Sequence, residues 1–452
     1  MLDKVKRRWN NLIVDKRFSE ILTGSAWALA ARVTATGFGL ITSIIVARWY
    51  GASMVGIVAV INSFLMLATI FTVLGTNTSL LRLIPEHLVK YSPTSAFKVY
   101  RKTQFMVIAA SVCTGALFFF AAEMIAEKVF SKPHLASYFA LASVFVVFKS
   151  LEQLNSPAVR GLRLIKTYAV MQVLPLALNL LFLVGFGLLL SVKNAPVYAM
   201  LGGVAITGIA GWFVMESAFR KKMQCTDEVQ PMATREILAL SLPMLMTATM
   251  TFVIGQTGIV LLGIFRSETE VGYYAIAVKL ATLTSFVLNA VNTMVGPKFS
   301  ELFHSGKMDE LFYVAKKSSK LIFVTTTPIL LGLVILGKPF MKIVFGADFT
   351  VAYPAMLVLI AGQFVTSVSG ATGLFMNMTG HQNIFRNIVV LAALTNVCLN
   401  LLLAPYYGIY GAAVAAMVSL IGWNGATLFF MKSKFGQTTC FIPELTGKPK
   451  VG

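Results

Sequence analysis

Apolar runs of about 20 residues recur along the whole chain, separated by short polar stretches. They fall at about 22–47, 54–75, 104–122, 136–158, 168–190, 196–216, 237–262, 271–296, 319–337, 354–379, 384–404 and 409–431. Runs of this length suit helices crossing a hydrocarbon core of about 30 Å. The pattern therefore predicts an all-α polytopic membrane protein of about twelve transmembrane helices. The stretch Ile41–Glu86 returns later in the chain. Val55-Gly56 is answered by Val271-Gly272, and Arg82 by Lys298, both at a separation of 216. Phe130-Ser131-Lys132-Pro133-His134, with Tyr138 following, is answered by Phe345-Gly346-Ala347-Asp348-Phe349, with Tyr353 following, at 215. Arg160-Gly161 matches Thr379-Gly380 at 219. Each repeat then holds six spans. An even number returns the chain to the same side, so the repeats run parallel and should be related by a pseudo-twofold axis along the membrane normal, an architecture found in secondary transporters with the substrate path between halves. The predicted organisation is a basic N-terminus at 1–21, a six-helix lobe at 22–216, a linker at 217–236, a second six-helix lobe at 237–431 and a mobile tail at 432–452.

Composition sharpens this reading. Hydrophobic residues make up 57%, charged residues 12%, and the mean hydropathy is +0.78. Soluble domains carry about a quarter charged residues, so a water-facing surface is excluded. The net charge of +20 raises nucleic acid as a partner. That is rejected, because the basic residues sit at span ends rather than on one face or in one domain. Of the 38 Lys and Arg residues, 28 lie in the N-terminus, alternate loops and the tail, and 7 in the remaining loops. This bias puts both termini in the cytoplasm. No short apolar core with a cleavage site follows the N-terminal cations Lys4, Lys6, Arg7 and Arg8, so no signal peptide is expected. Cys113, Cys225, Cys398 and Cys440 show no metal or redox spacing and are expected to be inert. The loops at 76–103 and 297–320 read as matching amphipathic cytoplasmic segments.

Charges inside spans cost roughly 3 kcal/mol on insertion scales and so face partners or wet cavities. Arg32, Lys149, Glu152 and Lys279 are the four found here. Lys149, Glu152, Gln153, Ser156 and Arg160 fall at helical spacing and draw one polar stripe down span 4. Arg32, Thr36, Gly39 and Ser43 do so in span 1; Lys279, Thr282, Asn289 and Thr293 in span 8; Gln363, Ser367, Gly370 and Asn377 in span 10. Stripes converging from both halves would line a hydrophilic, net cationic cleft in which Arg32, Lys149 and Lys279 contact an anionic substrate such as a diphosphate, through charge-assisted contacts. Two alternatives stand beside this. Lys149 and Glu152 can neutralise each other across one turn, and Glu152 can serve either in a salt bridge or as a proton-coupling group if burial raises its pKa. No Ser/His/Asp, metal-ligand or phosphate-loop pattern occurs, so neither enzymatic chemistry nor a cofactor is expected. Pro243, early in span 7, is the foremost hinge candidate among the in-span prolines and glycines, which also include Gly370.

Four passages carry a family resemblance. They are Ala47-Arg48-Trp49-Tyr50-Gly51 with Val55-Gly56; Ser241-Leu242-Pro243; Glu270-Val271-Gly272-Tyr273-Tyr274 followed by Pro297-Lys298-Phe299-Ser300-Glu301-Leu302; and Phe345-Gly346-Ala347-Asp348-Phe349 leading to Asn377-Met378-Thr379-Gly380. Together they resemble the polysaccharide and O-antigen flippases of the multidrug/oligosaccharidyl-lipid/polysaccharide exporter superfamily. The resemblance implies two lobes in alternating access. Its implied substrate is an oligosaccharide repeat unit on a polyprenyl diphosphate, moved from the cytoplasmic to the periplasmic leaflet of a bacterial inner membrane. A polysaccharide polymerase, a chain-length regulator and membrane lipid are the implied partners. Many relatives resemble one another in an acid midway along span 7, where this chain has Gly255-Gln256-Thr257. The competing readings are a drug/cation antiporter of the same superfamily and a non-transporting scaffold of a polysaccharide-assembly complex. Cysteines introduced at Lys4 and Lys434 should resist membrane-impermeant maleimide in intact cells; labelling from outside would overturn the orientation.

Overall fold

The computed structural model describes residues 16–188, 192–223 and 232–441. Lys4, Lys6, Arg7, Arg8, Cys225 and the tail beyond Phe441 lie outside the described residues. The chain is helical throughout the described residues, without strands. Its principal helices are α1 (Lys16–Val73), α2 (Thr76–Lys90), α3 (Pro93–Phe120), α4 (Ala136–Gly161), α5 (Ile165–Leu188), α6 (Ala195–Arg220), α7 (Thr234–Phe265), α8 (Glu268–Ala281), α9 (Ser285–His304), α10 (Met308–Val344), α11 (Tyr353–Ser369), α12 (Thr372–Met378) and α13 (Gln382–Phe435). Nine helical stretches among the described residues are long and apolar enough to cross a membrane. Two of them each hold two predicted spans. α1 breaks at Gly51 (φ 80°) and α13 at Gly408 (φ 53°), backbone that side-chain-bearing residues adopt only with strain. The span predicted over 237–262 lies within α7.

Several boundaries differ from the sequence reading, each for a local reason. α3 begins at Pro93, eleven residues before the predicted span. Ser92 caps it, its hydroxyl accepting from the Ser95 amide at 3.1 Å, and Pro93 supplies a preset φ at the first position. The amphipathic part of the 76–103 loop is therefore α2 alone, with Leu80, Leu83, Ile84 and His87 buried on one side and Arg82 and Lys90 exposed on the other. On that surface Lys90 bonds Glu86 at 2.7 Å, which lowers the Glu86 pKa. The 297–320 loop is also largely helical, split between the end of α9 and the start of α10. Pro243 sits inside the unbroken α7. The backbone turns instead at Gly51, Gly408, the 3-10 turn Thr282–Thr284 and Gly370 (φ 72°), which ends α11. The tail expected to be mobile is docked over its first part. Helix α13 runs on to Phe435; beyond it Phe441 N bonds Val368 O at 3.0 Å and Thr439 Oγ1 bonds Ser369 O at 3.2 Å. Those two carbonyls are left over at the end of α11, and the tail supplies the donors that the broken helix lacks.

By contacts the chain forms two compact units. The first comprises residues 1–252 with Ser267–Gly272, the second Val253–Arg266 and Tyr273–Gly452. In the first, α2, α3, α4 and α6 enclose Leu80, Ile84, Tyr100, Leu154, Val159 and Phe219. The start of α7 joins this unit through a 2.7 Å hydroxyl pair, Ser79 with Ser241. In the second, α9, α10, α12 and α13 enclose Phe299, Phe312, Phe375, Met376 and Met431, with the Phe312 and Phe375 rings 5.2 Å apart. Large apolar side chains such as Phe120 (84% exposed) and Phe429 (78%) point outward, as befits helices solvated by lipid.

Within the first unit the repeated Val-Gly motif meets its own copy. A Cβ on Gly56 would overlap the Glu268 carbonyl, and one on Gly272 would overlap the Ala52 carbonyl. Ala52 and Glu268 are themselves 216 apart, like the two glycines. The contact is thus its own image under the repeat, each glycine lying on the residue matched four positions earlier. Such small-residue seams let backbones approach closely. Gly56→Ala or Gly272→Ala should destabilise the purified protein by about 1–3 kcal/mol through overpacking. Gly37→Ala, where nothing lies within 4 Å, should be neutral in the same thermal denaturation series.

Candidate functional site

In the first unit α4 shows two contrasting faces. Ser150, Leu151, Leu154, Asn155, Ala158 and Val159 are buried against neighbouring helices. Lys149, Glu152, Gln153 and Ser156 are half-buried and Arg160 is exposed, so the polar stripe lies along the less covered side. Lys149 Nζ meets Glu152 Oε2 at 3.0 Å, with side chains 14% and 16% exposed. The ion-pair alternative for these two residues is therefore the arrangement present. At the end of the stripe the Arg160 guanidinium lies 5.7 Å from the Tyr168 ring, and Gln172 Nε2 donates to the Tyr168 hydroxyl. Nearby on α1 and α5, the Lys166 ammonium lies 5.9 Å from the Trp27 ring. Arg32 is exposed on α1; Thr36 and Ser43 are half-buried and donate to the Arg32 and Gly39 carbonyls at 2.8 and 2.9 Å. Hydroxyls bonded back to the preceding turn cost little in a membrane helix.

The second unit holds the remaining predicted residues, and its backbone breaks redistribute them. Lys279 is half-buried near the end of α8, while Thr282 stands in the 3-10 turn and Asn289 on α9. Thr282 Oγ1 bonds Val278 O at 2.8 Å and Asn289 Nδ2 bonds Ser285 O at 2.7 Å. In span 10, Gln363 is half-buried and Ser367 buried on α11, whereas exposed Asn377 belongs to α12 beyond the Gly370 break. Helical spacing counted across that glycine does not keep the three on one face.

Some polar groups escaped the sequence reading. Glu216, at the end of the predicted sixth span, pairs with Arg101 at 2.7 Å and Arg220 at 3.3 Å. Arg101 also lies over the rings of Phe97 and Trp212. A buried network joins α3, α4 and α6: Tyr100 donates to Asn155 at 2.8 Å, Gln104 donates to Tyr100 at 3.1 Å, and Asn155 Nδ2 donates to Gly208 O at 3.5 Å. Its counterpart in the second unit links Asn424 to Thr366 and Thr372 at 3.1 and 3.3 Å. Arg266 caps carbonyls just before the Gly408 break, reaching Tyr406 O at 2.9 Å. At the other end of the first unit from Arg160, Glu268 takes Lys132 at 3.6 Å and His134 at 3.0 Å. A recess of about 540 Å³ beside this loop, walled by Phe119, Phe120, Glu123 and Glu127, holds none of the predicted site residues.

Helices of this length, two compact units and charged side chains kept within spans define a polytopic membrane protein. The family described as polysaccharide biosynthesis protein matches residues 45–354, and the chain belongs to that family. A probable low-salt glycan biosynthesis flippase of Haloferax volcanii is 22% identical over 226 residues, which cover 50% of this chain and 46% of the relative. The match thus spans about half the length of that relative. A membrane protein of Methanocaldococcus jannaschii is 20% identical over 417 residues, covering 87% of this chain and 80% of its own. Among solved structures, the lipid II flippase MurJ in an inward closed conformation has a TM-score of 0.66 at 15% identity, covering 89% of this chain and 87% of its own. An inward-facing multidrug resistance transporter of the MATE family also scores 0.66, at 13% identity, covering 90% and 98%. The fold is shared with both.

The Lys149–Glu152 pair makes a measurable prediction. Lys149→Ala leaves a largely desolvated carboxylate without its partner and should cost about 3–5 kcal/mol. The double variant Lys149→Ala/Glu152→Gln should recover most of that loss in thermal denaturation; additive losses would show that the pair is not coupled.

Proposed function

We propose that this chain is a flippase for oligosaccharides carried on polyprenyl diphosphate, as in O-antigen or exopolysaccharide assembly. It moves them from the cytoplasmic to the outer leaflet by alternating access of its two six-span repeats, 22–216 and 237–431. Both termini stay in the cytoplasm, as the Lys and Arg distribution favours. The observation that carries this reading is the α4 face on which half-buried Lys149, Glu152, Gln153 and Ser156 and exposed Arg160 stand less covered than the buried face of Ser150, Leu154 and Asn155. Such a row is costly against hydrocarbon and useful against a polar, anionic cargo. Arg32 and Lys279 contact the diphosphate or acidic sugars, and the hydroxyl and amide side chains contact neutral sugar. Lys149, already paired, orients Glu152 and adds no net charge. The isoprenoid tail needs no binding site of its own, because it stays dissolved in the bilayer. A flippase named for glycan biosynthesis among the relatives supports the cargo class.

The equal likeness to a multidrug transporter favours a second reading, export of small cationic compounds. Cation exporters call for uncompensated acids along the path, and Glu152 is compensated by Lys149. One experiment separates the readings. In a strain lacking this chain, the surface glycan should be lost and lipid-linked repeat units should accumulate at the cytoplasmic face. Wild type should restore the glycan. Arg32→Ala/Lys279→Ala at normal abundance should transport at least about tenfold more slowly, since each charge-assisted contact contributes about 1.5–3 kcal/mol. An unchanged glycan with heightened sensitivity to cationic drugs would replace the flippase by the exporter.

A further inference from the structure

The segment Ser267–Gly272 belongs by contacts to the first unit, although the chain on both sides of it belongs to the second. Two things hold it there. One is the glycine seam, Gly56 on the Glu268 backbone and Gly272 on the Ala52 backbone, whose contacting atoms do not titrate. The other is the Glu268 carboxylate, which receives Lys132 at 3.6 Å and His134 Nε2 at 3.0 Å on the same oxygen. The loop that presents those two cations is shaped for the purpose. Helix α3 ends at Phe120, a π-helical turn follows over Ile125–Val129, Ser131 adopts a positive φ of 53° and Pro133 opens a short 3-10 turn. Glu268 is 15% exposed and Lys132 14%, but His134 is 58% exposed and open to solvent. Burial lowers the Lys132 pKa, and Glu268 and, more weakly, Glu270 offset part of that shift. The charge distribution puts both loops on the non-cytoplasmic side.

We infer that His134, Glu268 and Lys132 form a proton-binding latch on the outer face, which holds Ser267–Gly272 against the first unit and releases it as the imidazole loses its proton. The inference rests on the alternating-access reading for its role in the cycle. Its physics does not depend on the cargo. Histidine is the side chain whose charge changes near neutral pH, while carboxylates and ammonium groups ordinarily keep theirs between about pH 5.5 and 8. Protonated His134 adds a second cation to Glu268. Neutral His134 leaves a plain hydrogen bond, with Lys132 remaining as the charged partner. External acidity therefore favours the latched form, and the step toward neutral pH frees it.

Hydrogen exchange measured by mass spectrometry on the full chain in lipid nanodiscs tests this without substrate. After correction for intrinsic exchange, peptides covering 267–276 should be about two- to fivefold less protected at pH 8 than at pH 5.5, the range for a partly exposed ion pair. His134→Gln should abolish that difference, and His134→Lys should keep the peptides protected at both pH values. Lys132→Gln should lower protection at both while preserving the difference. A wild-type segment indifferent to pH, or a pH response that survives His134→Gln, overturns the latch. Because no glycan is involved, that outcome leaves the flippase reading standing, whereas a responsive latch in a strain with unchanged glycan would overturn the flippase reading alone.

Discussion

A backbone N–H or C=O in hydrocarbon has no water to bond, so every break in a spanning helix must be supplied with partners from elsewhere in the chain. This protein breaks its helices several times and answers the requirement locally. At the end of α11 the carbonyls of Val368 and Ser369 are taken by Phe441 N and Thr439 Oγ1. Just before the Gly408 break the Arg266 side chain reaches the Ala404 and Tyr406 carbonyls. The residues that look like loop or tail from composition are therefore part of the hydrogen-bonding of the spans. The same need explains the many Ser and Thr hydroxyls bonded to the carbonyl one turn back.

Much of this is legible in the chain itself. Hydrophobic run length locates the spans, and the 216-residue offset pairs Gly56 with Gly272, the two glycines that the fold joins in one seam. The helical spacing of Lys149, Glu152, Gln153, Ser156 and Arg160 finds a real face of α4, because nothing interrupts that helix across the stripe. The same arithmetic fails in span 10, where Gly370 resets the phase between Ser367 and Asn377. Capping shifts the start of α3, since Ser92 and Pro93 extend a helix into polar sequence where a hydropathy window sees none. The His134–Glu268 contact joins residues 134 apart and the Arg101–Glu216 pair residues 115 apart. No local period encodes such pairs.

Charge is handled in three ways within one molecule. Some charges neutralise each other inside a span, as Lys149 and Glu152 do. Others bridge helices, as Arg101 does to Glu216, where the Phe97 and Trp212 rings add cation–π contact. A third group, Lys132, His134 and Glu268, gathers two potential cations on one acid beside a seam of glycines. The seam brings shape complementarity that no change of pH alters, and the charges add the adjustable part. A contact built only of ion pairs would have lacked the close backbone fit, and one built only of glycines would have had nothing to respond with.

The docking of Thr439 and Phe441 at the end of α11 has a consequence for biosynthesis. About seventy residues separate those partners, and the donors are made only after α13. Until they emerge, a spanning helix already in the membrane carries open carbonyls. The second unit thus cannot finish folding until the stretch that follows α13 has been made. A chain cut short by a late nonsense codon would retain every span yet present an uncapped helix end, the kind of defect that membrane quality-control proteases are placed to find.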